Sequence, residues 1–322
     1  MDTTQPTKRR FAAGTWTIAL VVLLLLCASA VVTACGGTST TASSSPSAAT
    51  TAPVASPTVV PAAEPISRWD APGSALPAQA LAAARRYAAA LTAEKIPKAG
   101  LYTSASTWDY SPSDTHVQGA KEIEGIYRDA GSSIDWPKRN HLLVAPGVGV
   151  YEGVTTLYGT STTPSLVLLA VDGNKLTHEE VFLNEGDVQP VTYGASAPGP
   201  KDTAKVAANV GAAVGDAFAT GDQAALQALV APDVLFRDTA LPHGARGWDA
   251  LLAWWDKVPA VTLEGKKPIS GPGWAVGRWT IRQVFSTGVE LAMPGATVME
   301  VRNGKVVRMT LYYNSSVMRL QM

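Results

Sequence analysis

The chain has 322 residues, of which 46% are hydrophobic and 16% charged, a composition typical of a globular protein and too polar for a multi-span membrane protein. Its 26 basic and 26 acidic residues balance, and the body of the chain has no long basic run, which argues against nucleic-acid binding. Both cysteines, Cys27 and Cys35, lie near the N-terminus, so the rest of the chain has no disulfide, cysteine metal ligand or cysteine nucleophile.

The first 34 residues have the pattern of a secretion signal. The basic group Lys8–Arg10 precedes an uncharged apolar run, Phe11–Ala34. That run ends in Val32-Thr-Ala-Cys35-Gly, which resembles a lipobox. The resemblance implies a lipoprotein signal peptide over residues 1–34 and a diacylglyceryl group on Cys35. Because two acyl chains hold a protein stably on a bilayer, we expect the body to be lipid-anchored at the extracytoplasmic face of the cell membrane.

An uncleaved signal anchor is the alternative to this interpretation. The uncharged run of about 24 residues is long enough to span a bilayer of roughly 30 Å. The lipoprotein interpretation is favoured because Cys35 stands at the end of the run and is followed at once by glycines and a polar tract. Both alternatives place the body of the protein outside the cytoplasm.

Residues 35–66 form a tract of Ser, Thr, Ala, Pro and Val with no aromatic residue. Such a composition buries too little apolar surface to offset the entropy of ordering the chain. We therefore predict a disordered tether between the membrane anchor and the folded body.

The remainder contains an internal repeat, with a first unit over residues 67–188, a linker over 189–201 and a second unit over 202–322. Matching segments recur in the same order and at nearly constant spacing. The three matched pairs are Trp108–Tyr127 with Phe236–Trp255, Pro146–Val150 with Pro272–Val276, and Lys175–Asn184 with Lys305–Asn314.

Each unit is predicted to place helices before a strand-rich remainder, which is an α+β layout. Alanine-rich helices are expected over 78–94 and 204–219, a short helix over 222–230, and another beginning near Gly119 in the first unit and Gly247 in the second. Strands are expected over 141–150, 154–159 and 165–171. Each unit should end in a hairpin, at Asp172-Gly-Asn174 and at Arg302-Asn-Gly304.

The second unit resembles a SnoaL-like domain of the nuclear-transport-factor-2-like superfamily. The resemblance rests on Ala217–Asp222, Leu226–Phe236, Gly247–Leu252 and Val298–Lys305, and the first unit is a weaker copy. It implies two tandem cone-shaped units, each with about three N-terminal helices packed on a curved, mixed and mostly antiparallel sheet. It also implies a pocket at the open end of each cone and pairing of the two units through their sheets.

Relatives in this superfamily include isomerases and cyclases that use a pocket carboxylate as a base, as well as non-catalytic proteins. By this resemblance Asp238 and His243 are the candidate catalytic residues, with Asp238 accepting a proton and His243 or a tyrosine donating one. Asp109, Tyr110 and His116 occupy the matching stretch of the first unit. The alternative is that Asp238 and His243 only form a solvent-exposed turn.

Trp248 and Trp279 belong to a group of tryptophans that either lines an aromatic pocket or packs in the core between helices and sheet. No metal site and no cofactor are predicted, because the four histidines lack paired ligand spacing and no nucleotide-binding motif occurs. On a strand, His178 and Glu179 should point to opposite faces.

Three functions are compatible with these observations. A non-catalytic, lipid-anchored protein that binds a small apolar ligand or a protein partner is favoured. A SnoaL-like isomerase, cyclase or hydrolase and a structural module with filled pockets remain as alternatives.

Overall fold

The protein is described by a computed structural model that covers residue 69 and the ranges 73–92, 99–111, 115–130, 141–157, 161–184, 198–240, 244–256, 262–263, 267–284 and 290–316, with residues 96 and 288. The predicted signal peptide, Cys35, the tether, His243 and most of the predicted linker lie outside the described residues. No helix in the described part of the chain is long and apolar enough to cross a membrane.

The fold is mixed α+β, which confirms the predicted class, and the described elements fall into two halves. The first half contains α1 (Pro77–Thr92), β1 (Thr107–Tyr110), β2 (Thr115–Gln118), α2 (Ala120–Ala130), β3 (His141–Ala145), β4 (Val148–Leu157), β5 (Ser161–Asp172) and β6 (Lys175–Leu183). The second half contains α3 (Ala204–Thr220), α4 (Gln223–Leu229), β7 (Val230–Asp238), β8 (Ala245–Arg246), α5 (Trp248–Trp255), β9 (Thr262–Leu263), β10 (Ile269–Gly271), β11 (Trp274–Val284), β12 (Glu290–Arg302) and β13 (Lys305–Tyr313).

The boundaries of the helices in the second half follow from local capping chemistry. Thr203 caps α3 by accepting a hydrogen bond from the Val206 amide, and Gly221 ends the helix in the left-handed conformation (φ 70°). The Asp222 carboxylate then caps α4 by accepting from the Ala225 amide at 2.8 Å. The predicted helices at 204–219 and 222–230 therefore match the observed ones to within a residue or two.

The two sheets have the same strand order. The first runs β2-β1-β6-β5-β4-β3 and the second β8-β7-β13-β12-β11-β10, with β9 paired to β11. In each sheet the first strand along the chain, β1 or β7, pairs in parallel with the last strand, β6 or β13, and the other pairings are antiparallel. Each sheet also has a β-bulge, between Ala170 and Val171 in one and between Glu300 and Val301 in the other.

Two expectations about the first half need correction. The strand predicted over 141–150 is two strands, β3 and β4, joined by a tight turn at Pro146-Gly147, where Gly147 has φ 69°. A Pro-Gly pair is a turn signal, and it interrupts the run of aliphatic residues. About three helices were expected in this half, whereas its described residues contain two α-helices, α1 and α2.

The predicted terminal hairpins are present. β5 and β6 are joined through Gly173 and Asn174, and β12 and β13 through Asn303 and Gly304. Asn303 (φ 53°) and Gly304 (φ 69°) both have positive φ, which is the geometry that an Asn-Gly turn supplies.

The helices of each half pack against one face of its sheet. The helix-side core of the first half is built around Tyr87, Ile123, Tyr151, Leu169 and Leu176, and that of the second half around Val214, Leu226, Leu251, Met299 and Met309. Because side chains alternate along a strand, the opposite face of each sheet is also apolar in residues such as Leu168 and Val298.

A third cluster, here called the inter-sheet core, joins residues from the opposite faces of both sheets. Its members are Trp69, Leu143, Ala145, Val148, Val150, Leu166, Leu168, Ala170, Phe182, Ile269, Trp274, Val276, Ala296, Val298 and Tyr312. Polar contacts also cross it: Arg308 contacts Glu152 at 2.6 Å and Tyr312 donates to Glu152 at 2.8 Å. The two halves thus share one buried apolar and charged layer.

Trp69 lies at the edge of this layer and is 6% exposed. Its indole N–H donates to Oε2 of Glu180 on β6 at 2.7 Å, and its ring packs against His178. The guanidinium of Arg278 on β11 lies 5.8 Å from the centre of the indole ring and 3.3 Å from the same Glu180 oxygen. Trp69 therefore contacts charged side chains from both sheets.

Candidate functional site

A buried carboxyl group, Asp238, lies at the end of β7 on the helix side of the second sheet. Asp238 is 3% exposed. Its Oδ1 accepts the amide of Ala240 at 2.8 Å, while its Oδ2 accepts the indole N–H of Trp254 at 2.8 Å and the hydroxyl of Tyr313 at 2.9 Å. Three separate segments therefore fix one carboxyl group: the residues after β7, helix α5 and the end of β13.

The environment makes this carboxyl group more basic than an exposed aspartate. Burial raises the pKa of Asp238 above its ordinary value, and the hydrogen bonds from Ala240, Trp254 and Tyr313 offset only part of that rise. Burial and the neighbouring Asp238 carboxylate also raise the pKa of the Tyr313 hydroxyl, so Tyr313 serves as a hydrogen-bond donor and not as a phenolate.

Aromatic side chains lie beside Asp238, and three of them are partly exposed. The rings of Trp254 and Phe236 pack together with their centroids 4.8 Å apart, and the ring centroids of Trp279 and Tyr313 are 5.9 Å apart. Trp254, Trp279 and Tyr313 are each only partly buried. Partly exposed aromatic rings beside a buried polar group are typical of a small-molecule site.

Trp279 is held flat against β12. Its indole N–H donates to Oγ1 of Thr297 at 2.9 Å. A Cβ atom added at Gly295, its cross-strand partner, would lie 2.3 Å from the indole ring. The ring can therefore occupy this position only because residue 295 has no side chain.

The second half matches a known family. A family model described as the SnoaL-like domain covers residues 212–309. Residues 212–309 form a SnoaL-like domain. This range includes Asp238, Trp254 and Trp279, and it confirms the predicted resemblance for the second half. Among proteins with curated functions, none is significantly similar to this chain.

Solved structures that are similar to part of the chain have low sequence identity to it and low TM-scores. An NTF2-like protein of unknown function from Burkholderia pseudomallei is 20% identical over 35% of this chain and 94% of its own, with a TM-score of 0.32. A proposed polyketide cyclase from Xanthomonas campestris pv. campestris is 21% identical over 37% and 97%, with a TM-score of 0.33. A proposed ketosteroid isomerase from Kribbella flavida is 16% identical over 34% and 78%, with a TM-score of 0.30. At these identities the similarities do not specify a ligand or a reaction.

The candidate residues in the SnoaL-like domain occupy different positions. Asp238 and Trp279 lie on the same side of the sheet, each in contact with Tyr313. Trp248 begins α5 and packs against the helix-side core without a described contact to Asp238. His243 lies outside the described residues, so its relation to Asp238 stays a prediction.

In the first half the structure separates the candidate residues between the two faces of β1. Tyr110 stacks on Trp108 on the helix side, with ring centroids 5.8 Å apart. Asp109 lies on the opposite face, where one of its oxygens hydrogen-bonds His116 and the other lies 3.6 Å from His178. Because alternate residues of a strand point to opposite faces, Asp109 and His116 do not share a site with Tyr110.

A second buried carboxyl group, Glu179 on β6, was not among the predicted site residues. It is 0% exposed and accepts hydrogen bonds from the hydroxyls of Tyr87 at 2.8 Å and Tyr102 at 2.5 Å, and from Tyr127. Burial raises the pKa of Glu179, although the tyrosine hydrogen bonds oppose that rise. The only sequence signal was the alternation that places His178 and Glu179 on opposite faces, which the structure shows.

No group of three or more histidine, cysteine, aspartate or glutamate side chains with metal-binding geometry occurs among the described residues.

Proposed function

We propose that the SnoaL-like domain binds a small, flat, apolar molecule beside Asp238. The observation that carries the proposal is the set of partly exposed aromatic side chains, Trp254, Trp279 and Tyr313, around a buried carboxyl group. The rings supply apolar contact area, while the Tyr313 and Asp238 pair supplies a hydrogen-bonding position that orients one polar atom of the ligand.

A planar phenol such as 1-naphthol is a suitable probe for this proposal. Its binding is expected to quench tryptophan fluorescence in a saturable way, and Trp279→Ala should weaken it on the order of tenfold, because one aromatic wall is lost. Leu235→Ala, at an exposed position of β7, is the matched control and should bind like the wild type. Equal affinity in the wild type and Trp279→Ala would place the ligand elsewhere.

Proton transfer is a second candidate function, and the raised pKa of Asp238 favours it specifically. A buried carboxylate with raised pKa is a stronger base towards an acidic C–H group than an exposed aspartate. The proton would move from a carbon next to a ligand carbonyl to Asp238, with Tyr313 hydrogen-bonded to the same carboxyl group.

Exchange of the α-protons of 2-tetralone in D₂O, followed by NMR, tests this second function. Asp238→Asn should slow protein-catalysed exchange by about 100-fold or more, and Asp216→Asn, at an exposed position of α3, should leave it unchanged. Exchange no faster than in buffer would exclude the catalytic function for this type of carbon acid and would leave the binding proposal standing.

We also propose that Cys35 carries the lipid that anchors the protein at the extracytoplasmic face of the membrane. The support is the lipobox-like segment and the tether composition. Labelling of cells with radioactive palmitate should mark the wild type and Cys27→Ala, whereas Cys35→Ala should accumulate as an unlabelled precursor. Labelled Cys35→Ala protein would contradict the anchor.

The first half is proposed to be a diverged second copy of the SnoaL-like domain. The equal strand order of the two sheets and the bulges at matching positions support this. In that interpretation the inter-sheet core is the intramolecular counterpart of the sheet-to-sheet contact by which members of the superfamily dimerise.

A further inference from the structure

The Glu179 cluster brings together hydroxyl groups from three separate elements. Tyr87 comes from α1, Tyr102 from the segment before β1, and Tyr127 from α2, while Glu179 itself belongs to β6. The β-bulge between β5 and β6 places Glu179 opposite Leu169, so the carboxyl group points to the helix side. The hydroxyls therefore converge on one point in the core of the first half.

All groups that donate to Glu179 in the described part of the chain are neutral. The Tyr87 hydroxyl lies 2.8 Å from Oε1 and also 3.1 Å from the hydroxyl of Tyr127, which in turn accepts the indole N–H of Trp108 at 3.4 Å. A carboxylate has about four acceptor positions, and connected donors polarise one another. The arrangement satisfies a carboxylate by hydrogen bonds alone, as a synthetic anion receptor does.

We propose that Tyr87, Tyr102 and Tyr127 form a carboxylate-binding site whose occupant is the protein's own Glu179. The first half thus contains a binding site for a small carboxylate that its own Glu179 fills. In the second half Met309 stands at the strand position that matches Glu179, and the aromatic side chains of Trp254, Trp279 and Tyr313 remain partly exposed. The proposal is independent of the ligand suggested for the SnoaL-like domain, because it concerns other residues in the other half.

Chemical rescue of Glu179→Ala by formate tests the proposal. The substitution removes the carboxylate and leaves the three hydroxyls around a space that formate fits. A ligand of three heavy atoms binds at best with a dissociation constant of about 1 mM. Sodium formate at about 100 mM should therefore raise the melting temperature of Glu179→Ala saturably by about 5–10 °C. The wild type, whose site is occupied, should show no saturable shift.

Leu169→Ala is the matched control. Leu169 on β5 is the cross-strand neighbour of Glu179 on β6, and truncation of Leu169 leaves a space in the same core. Formate should not rescue this variant, and sodium chloride at equal ionic strength should not rescue Glu179→Ala. Equal responses to formate and chloride, or equal rescue of both variants, would overturn the proposal.

Tyr102→Phe removes one hydroxyl donor to Glu179 and almost no side-chain volume. It therefore tests the same site without opening the space that Glu179→Ala creates. An ionised carboxylate depends on its donors more than a neutral carboxyl group does. Tyr102→Phe should therefore lose more stability, relative to the wild type, at pH 8 than at pH 4. An equal loss of stability at both pH values would show that the tyrosines only fill space. That result would contradict the proposed carboxylate-binding site, even if formate stabilised Glu179→Ala.

Discussion

Gly295 illustrates how a single absent side chain shapes the candidate site. The indole of Trp279 occupies the space that a Cβ atom at residue 295 would need. The position of Trp279 beside Tyr313 therefore depends on Gly295 as much as on the Thr297 hydroxyl that its indole N–H contacts.

Gly295→Ala is expected to push Trp279 away from β12. The added methyl group should destabilise the protein by about 1–3 kcal/mol, as over-packing usually does, and should weaken 1-naphthol binding. Urea denaturation and the fluorescence titration measure the two effects. Gly277→Ala is the matched control, because the nearest atom to its added Cβ, the Cε of Met299, lies at an ordinary 3.7 Å. If both alanine variants bind alike, Trp279 is not a wall of the site.

The residues of the site were only partly predictable. Asp238 was found from the resemblance of its segment to a family, but its donors Trp254 and Tyr313 lie 16 and 75 positions further along the chain. Glu179 was missed because the residues that surround it are as far as 92 positions away, on elements whose packing the local pattern does not specify.

At the scale of single elements the sequence is far more informative, since the signals are local. The α3–α4 junction is defined by Gly221 and Asp222, which are adjacent in the sequence and act on their own backbone neighbours. The Asn303-Gly304 hairpin is specified in the same way. The turn at Pro146-Gly147 was missed because the aliphatic residues around it favoured one continuous strand.

Asp222→Ala should remove the cap of α4. Loss of the hydrogen bond to the Ala225 amide is expected to cost about 1 kcal/mol. Chemical denaturation measures the change in the free energy of unfolding. Asp216→Ala, at an exposed position within α3, removes the same charge without removing a cap and should cost much less. A similar loss in both variants would mean that charge, and not capping, is responsible.

At the scale of the whole molecule, the inter-sheet core combines apolar packing with buried charge. Glu152, 0% exposed, contacts Arg308 and Tyr312 of the other half and His141 of its own half at 2.6 Å. Nε of Arg308 also lies 2.8 Å from Oε1 of Glu300, in a second ion pair. A buried charge needs such partners, because burial alone would neutralise it.

This layer should make the stability of the protein sensitive to acid. Burial alone would raise the pKa of Glu152. Arg308, His141 and Tyr312 together lower that pKa by more than burial raises it, so the net pKa lies below the ordinary 4.5. The folded state then binds fewer protons than the unfolded state, and the stabilisation is complete above about pH 4.5 and is lost as the pH falls through the folded-state pKa.

Glu152→Gln is therefore expected to cost about 3 kcal/mol at pH 7 and less at pH 3, because below about pH 4.5 the unfolded wild type takes up a proton that the folded, ion-paired carboxylate resists. Urea midpoints at the two pH values measure this difference. Asp216→Asn controls for the loss of one negative charge at an exposed position. A constant difference between Glu152→Gln and the wild type across this pH range would contradict the assignment.

Trp69 has a mechanical consequence. A pulling force applied from the N-terminal side reaches the described body first at this indole, which hydrogen-bonds Glu180 of one sheet and lies against Arg278 of the other. The load is thereby divided between the two sheets before it reaches α1. A pulling force on the residues before Trp69 is therefore expected to strain the contact between the two sheets before it unfolds α1.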